Sequence, residues 1–234
     1  MNSTSVVNLG RTKYADAWEL QKKFWELRHT GAVGDLLILT EHEHVYTVGK
    51  GGDDNHLLAS LDELKIDGTD VFRIDRGGDI TYHGPGQIVC YPILDLNNYT
   101  PDIHLYLRNL EEVMIQTLAP YGIEAHREPE FTGVWVGNEK IGALGVKVSK
   151  WITMHGLALN VNTNLAKFDR IIPCGIFHKG VTSMRKILGR DIDLFEVESR
   201  LVDSFECVFG STGVPLTREA YDAMWTESKE AEQE

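Results

Sequence analysis

Arg76-Gly77-Gly78-Asp79-Ile80-Thr81-Tyr82-His83-Gly84-Pro85-Gly86-Gln87 places four glycines, a proline, an arginine, a tyrosine and a histidine within twelve residues. Glycines at that density let backbone approach a ligand closely or adopt conformations that side chains forbid. The polar residues between them are suited to orienting whatever sits there. The alternative is two tight turns around a short strand with no ligand at all. Both readings set Ile80–His83 as a strand, and both leave the fold to be decided by what lies on either side.

Outward from this stretch, Val71 to Asp75 reads as a short strand, and Gln87 to Leu96 as a longer one whose unbroken apolar run marks it as central in a sheet. Asp35–Thr40 and His44–Val48 read as two further strands, ended by Gly49 to Gly52. Tyr14–Thr30 carries Ala17, Leu20, Phe24 and Leu27 at helical spacing, with Trp18 and Trp25 alongside. Thr100-Pro101-Asp102 predicts a helix start with a capping hydroxyl, proline at the first helical position and an acid in the first turn. The apolar face then runs from Ile103 to Leu118, and Gly122 marks the stop. Phe131–Val136 and Lys140–Val148 flank the Gly137-Asn138 hairpin signal, and Trp151–Val161 follows as a third strand. Leu165–Arg170 reads as a short helix, Asp193–Phe209 as an amphipathic one and Thr217–Trp225 as a last helix before an acidic tail, 227–234, expected to fray. Mixed strands and separated helices imply an α/β arrangement of α+β layers, a mixed sheet with flanking helices in one domain spanning 1–234. The last ~45 residues read as a small helical unit packed on that sheet.

The chain has 234 residues, 42% of them hydrophobic, enough for a full core. No apolar run reaches the ~18 residues of a membrane span, and Met1–Arg11 has neither a secretory nor a transit pattern. A formal net charge of −12 argues against a nucleic-acid binder. Basic residues nevertheless gather at Lys147, Lys150, Lys167, Arg170, Lys179, Arg185, Lys186 and Arg190, either as a solvated face or as a positive patch for an acidic partner. Cys90, Cys174 and Cys207 are odd in number, widely spaced and lack metal-binding spacing, which fits free thiols in a cytoplasmic protein.

Chemistry concentrates late in the chain. Cys174 lies in Ile171-Ile172-Pro173-Cys174-Gly175, where Pro173 favours an extended Ile172 and Gly175 a tight turn that presents the thiol. Cys90 sits inside an apolar strand and reads as a core thiol. A thiol with its ordinary pKa near ~8.5 needs a cation beside it to act as a nucleophile at neutral pH. Candidates are Lys140, Lys147, Lys179, His83, His155 and His178. Lys140 opens Lys140-Ile141-Gly142-Ala143-Leu144-Gly145, a strand whose small residues leave room for a ligand. Gly156-Leu157-Ala158 repeats the pattern, so together they suggest a wall for something slim and apolar. His42 and His44 would face one side of a strand, a possible metal pair, but no third ligand is placed and they read as core or surface histidines. His155 reads as a core histidine bonded to backbone.

In the same order along the chain, the segment Arg76–Gln87, Lys140–Gly145, His155–Val161, Pro173–Ile176 and Val181–Met184 resemble the motifs of the lipoyl(octanoyl) transferases, from about Gly34 to about Val208. Departures are mild: Gly142 stands where alanine is frequent, and Gly49–Gly52 is loose. The resemblance implies the fold of biotin and lipoate protein ligases and transfer of an octanoyl group from acyl carrier protein to a lysine of lipoyl domains. Cys174 matches the acyl-thioester nucleophile and Lys140 the lysine that lowers its pKa. Arg76, Gly77, Gly78, Asp79, Ile80, Thr81, Tyr82 and His83 match segments that contact the acyl substrate, as do Ala143, Leu144, Gly145, Gly156, Leu157 and Ala158. Implied acceptors are the lipoyl domains of 2-oxoacid dehydrogenase complexes and the glycine cleavage H protein. Neither cofactor nor metal is implied. Rival readings are an ATP-dependent lipoate or biotin protein ligase on the same fold, a cysteine thioesterase, and a non-enzymatic acyl-binding module.

Overall fold

The computed structural model describes residues 2–172, 179–217 and 220. Among these, twelve strands and five α-helices form two sheets with helices on both faces of the larger one. The main sheet comprises β1 (Asn2–Thr12), β2 (Asp35–His42), β6 (Gln87–Ile93), β7 (His126–Glu128), β8 (Phe131–Val136), β9 (Glu139–Ser149), β10 (Ile152–Asn160), β11 (Gly180–Val181) and β12 (Ser211–Pro215). Its order is β12-β1-β2-β6-β10-β9-β8-β7, with β11 paired to β9. β1 runs parallel to both neighbours, whereas β2-β6-β10-β9-β8-β7 is antiparallel throughout. The small sheet is β4 (Asp70–Arg73), β3 (Val45–Val48) and β5 (Ile80–His83), in that order.

Two-residue alternation sorts the central strands between two cores. Leu37, Leu39, Ile88, Cys90, Leu157 and Leu159 meet α3 (Ile103–Leu118) and α5 (Leu194–Phe209) on one face. Leu36, Ile38, Val89, Tyr91 and Ile93 meet Ala17, Leu20 and Phe24 of α1 (Tyr14–Thr30) on the other. β6 is buried along its whole length, as its apolar run requires of a central strand. The small sheet closes a third core of Tyr46, Val48, Ile80 and Tyr82 with Phe168 and Ile171.

Several boundaries differ from the sequence reading. α3 is capped by Asp102, whose Oδ1 accepts from the N–H of His104 at 2.8 Å and of Leu105 at 3.1 Å, so Pro101 precedes the helix and Thr100 is not the cap. A carboxylate that takes two orphan N–H groups outcompetes a hydroxyl that would take one. β1, β12 and α2 (Leu61–Ile66) are additional elements. α5 supplies Val197, Leu201 and Phe205 to the core that holds Leu37, and β12 extends the main sheet, so the C-terminal elements belong to the main layers. α4 (Met184–Leu188) lies between β11 and α5. The expected Cys174 turn, most of the expected Thr217–Trp225 helix and the acidic tail lie outside the described residues.

Candidate active site

A cavity of about 360 Å³ lies where β6, β10 and β9 face β5 and the Arg76–Gly78 turn. Its shape originates in β6. Pro92 stands within this central strand and has no N–H to give to β10. Pairing between β6 and β10 accordingly ends at Leu157–Cys90, although β10 stays paired with β9 back to Ile152. The Thr153 hydroxyl substitutes for the missing ladder, donating to Pro92 O at 2.7 Å and accepting from Leu94 N at 2.9 Å. Between these points His155 takes a φ of 61° and Gly156 lies against Cys90, where a Cβ would come within 2.1 Å of the carbonyl oxygen. Only glycine fits that contact. His155, Gly156 and Leu157 all line the cavity at this irregular point of β10.

Every residue expected to contact an acyl group lines this cavity except Tyr82. Tyr82 is buried in the third core, and its hydroxyl meets His44 Nδ1 at 2.6 Å. Alternation along β5 sends it to the face opposite Thr81 and His83. Arg76 anchors its turn by donating from Nη2 to Thr47 O (2.7 Å) and Thr47 Oγ1 (2.9 Å), and Gly77 N bonds Val146 O across the edge of β9. Asp79 accepts from Ile80 N at 2.7 Å and pairs with His56 Nδ1 at 2.5 Å. His83 Nδ1 donates to Gln87 Oε1, whose Nε2 in turn reaches Tyr82 O and Asn160 Oδ1. Gln87, Val89 and Tyr91 also line the cavity, as do Tyr14, Phe131 and Asn160. Alternation in β6 groups the first three on one face, but which face meets a ligand depends on the distant small sheet.

The candidate cations separate clearly. Burial pushes His83 down to about 3, with His42 and Arg76 adding to the depression. His155 is also lowered by burial, against the opposing pull of Asp75, which accepts its Nε2–H at 2.8 Å. The bond to a carboxylate, not to backbone, corrects the sequence reading. Both imidazoles are neutral near pH 7. Lys147 is turned onto the other oxygen of Asp75 at 2.6 Å and does not line the cavity. Lys140 lines it, with Nζ 4.8 Å from the centroid of the Trp135 ring. Lys179 holds Glu128 at 3.2 Å. Cys174 and His178 lie outside the described residues. Cys90 is fully buried, its thiol pushed well above the ordinary range by desolvation. His42 bonds the Tyr91 hydroxyl at 2.7 Å from the end of β2, while His44 lies in the turn beyond, so the two do not share a strand face.

The fold superposes on a putative lipoate protein ligase from T. acidophilum with a TM-score of 0.73 at 16% identity, covering 96% of this chain and 93% of that one. Biotin protein ligase from Aquifex aeolicus gives 0.50 at 13% identity, covering 90% and 70%. Residues 13–206 match the lipoyl protein ligase A/B catalytic domain, and the chain belongs to that family. An octanoyltransferase of Rubrobacter xylanophilus is 52% identical over 206 residues, 87% of this chain and 92% of the relative. One of Christiangramia forsetii is 48% identical over 221 residues, 87% and 94%. The match begins about twenty residues before the Gly34 boundary read from motifs, and so takes in α1.

Proposed function

We infer that this chain is an octanoyltransferase of protein lipoylation that works through a thioester on Cys174, with Lys140 carrying the protons of both half-reactions. In the first, the Cys174 thiol gives its proton to Lys140, and the thiolate attacks the carbonyl of octanoyl-acyl carrier protein. The bond to the pantetheine sulfur breaks, and that sulfur takes up the proton. In the second, the acceptor lysine amine attacks the Cys174 thioester, an amide forms, and the sulfur leaves. The amine proton passes to Lys140. Exchanging one thioester for another is nearly neutral in free energy, and amide formation runs downhill, so no nucleotide is required. Backbone N–H groups beside the carbonyl would stabilise the oxyanion by ~3 kcal/mol each.

One observation carries this reading: Lys140 stands in the wall of an apolar, glycine-lined cavity of small-ligand size, in a chain about half identical to octanoyltransferases. The acyl chain lies against Gly77–Thr81, Ala143–Gly145 and Gly156–Ala158. The acceptors are lipoyl domains of 2-oxoacid dehydrogenase complexes and the glycine cleavage H protein, met in the cytoplasm. Intact mass measurement after mixing with octanoyl-acyl carrier protein, without ATP, should show a gain of about 126 Da, an octanoyl group replacing one hydrogen. Cys174→Ala should abolish both the adduct and transfer, and Lys140→Ala should abolish transfer with the fold intact. Full activity in Cys174→Ala would discard the thioester; release of free octanoate with lipoyl domain present would make the chain a hydrolase.

A further inference from the structure

Trp135 of β8 is 1% exposed and stands opposite Lys140 in the β8–β9 register. Two ammonium groups approach this one indole: Lys140 Nζ at 4.8 Å from the ring centroid and Lys179 Nζ at 4.7 Å. Their separation therefore cannot exceed those two distances together. The Lys179 side chain is 11% exposed, lies 5.3 Å over Phe131 and pairs with Glu128 at 3.2 Å. The Lys140 stem is held close by Gly133, whose φ is 129° and where a Cβ would fall 3.2 Å from Lys140 Cε. The Gly133 N–H is fixed by the buried Glu111 carboxylate at 2.9 Å.

The indole face attracts both cations, whereas the cations repel each other. The Lys179 charge opposes a second positive charge at Lys140, and Glu128, paired with Lys179, counters it. Among the described residues of these elements, Glu139 pairs with Lys186, Glu111 with Arg108 and Arg127, and His126 with Glu128, while Glu130 lines the cavity. Cys174 and His178 are outside the described residues.

We propose that Lys179 and Glu128 are positioning residues that act through Trp135 and Lys140, setting the balance between the ammonium that supports the thiolate and the amine that accepts the acceptor's proton. This rests on the reading of Lys140 as proton carrier. It is tested by competitive labelling of amines with trace acetic anhydride across a pH series, with Lys140 quantified by peptide mass spectrometry on the full chain. Lys179→Met removes the repelling cation and leaves Glu128 unopposed, so the midpoint of Lys140 should rise by about one pH unit. Glu128→Gln frees the Lys179 charge, so the midpoint should fall by a similar amount. Lys179→Arg should leave it in place. The pH profile of transfer to lipoyl domain should move in the same directions. Merely structural roles would not give shifts of opposite sign. Unchanged midpoints, or shifts of one sign in both variants, would overturn the proposal. The labelling does not depend on turnover, so failure of the Cys174 mechanism would appear separately, as activity in Cys174→Ala.

Discussion

His42 and His83 are packed together with Tyr14, the imidazole centroids 5.8 Å apart. Burial lowers His42 to about 4 and His83 to about 3. Above pH 6.5 neither folded nor unfolded chain protonates them, and they add no pH dependence. Below that value the unfolded chain binds protons that the folded chain refuses, so stability falls as the pH drops toward 4 for His42 and 3 for His83. Each histidine contributes a slope of about 1.4 kcal/mol per pH unit once the unfolded form is charged. Urea unfolding at pH 7.5, 6 and 5 should show this loss, to which buried His155 adds in the same direction, and His42→Gln should make it smaller. Equal slopes in the two proteins would mean that the loss comes from other groups. Asp75 contributes nothing in this window: the His155 and Lys147 bonds hold its carboxyl below the ordinary range, and the stability they lend is lost only below about 3.8. At this scale the sequence was informative about Arg76–His83 because glycine and charge density are local signals. Tyr82 was misplaced because a strand fixes only that neighbours diverge, not which of them faces the ligand.

β10 and β8 are each irregular beside the cavity, β10 through the positive φ of His155 and β8 through a register shift between Val134 and Trp135. In β10 the cause is Pro92 on the neighbouring strand, answered by Gly156. Gly156→Ala drives a methyl into the Cys90 carbonyl; the strand must shift, at a stability loss of about 1–3 kcal/mol. Octanoyl transfer should fall far more than the folded fraction does, because Gly156 and its neighbours form the cavity wall. Activity normalised to folded protein by circular dichroism checks this, and an unaltered specific activity would separate the Gly156 contact from the site. In β8 the irregular stretch is held by Glu111, whose carboxylate is 1% exposed and meets Arg108 at 2.7 Å, Arg127 at 3.2 Å and Gly133 N at 2.9 Å. Glu111→Ala leaves that N–H and part of Arg127 without a partner and should cost about 2–3 kcal/mol in urea unfolding, discounted because both arginines reach solvent. Long periodic elements such as α1, α5 and β10 were legible because their spacing is intrinsic. β1 was not: only Thr4 and Val7 of its eleven residues are buried, and its register comes from pairing with β2 and β12. α2 carried a readable signal in Ser60-Leu61-Asp62-Glu63, a capping box that the structure forms, but its six residues offer too few apolar positions to reveal a period.

Over the whole molecule, the basic cluster read from sequence is dispersed. Lys150 approaches His29 and Trp25 on α1, Lys167 and Arg170 hold Asp67, and Lys147 holds Asp75. Arg185, Lys186 and Arg190 stay together on and after α4, exposed beside the half-exposed Ile187. This group adjoins the site, because the residue two before α4, Thr182, donates its N–H to Lys140 O at 2.9 Å. A chain of net charge −12 repels acidic partners at long range, so the carrier protein proposed above as donor would dock where basic side chains gather. Lys186→Glu combined with Arg190→Glu should raise KM for octanoyl-acyl carrier protein by about tenfold or more, with kcat little changed, and the effect should shrink as salt rises. A small donor, octanoyl pantetheine, carries no acidic surface and should be used equally by both proteins. Equal losses with the two donors would place the damage in the cavity, and an unchanged KM for the carrier-linked donor would move the docking face away from α4.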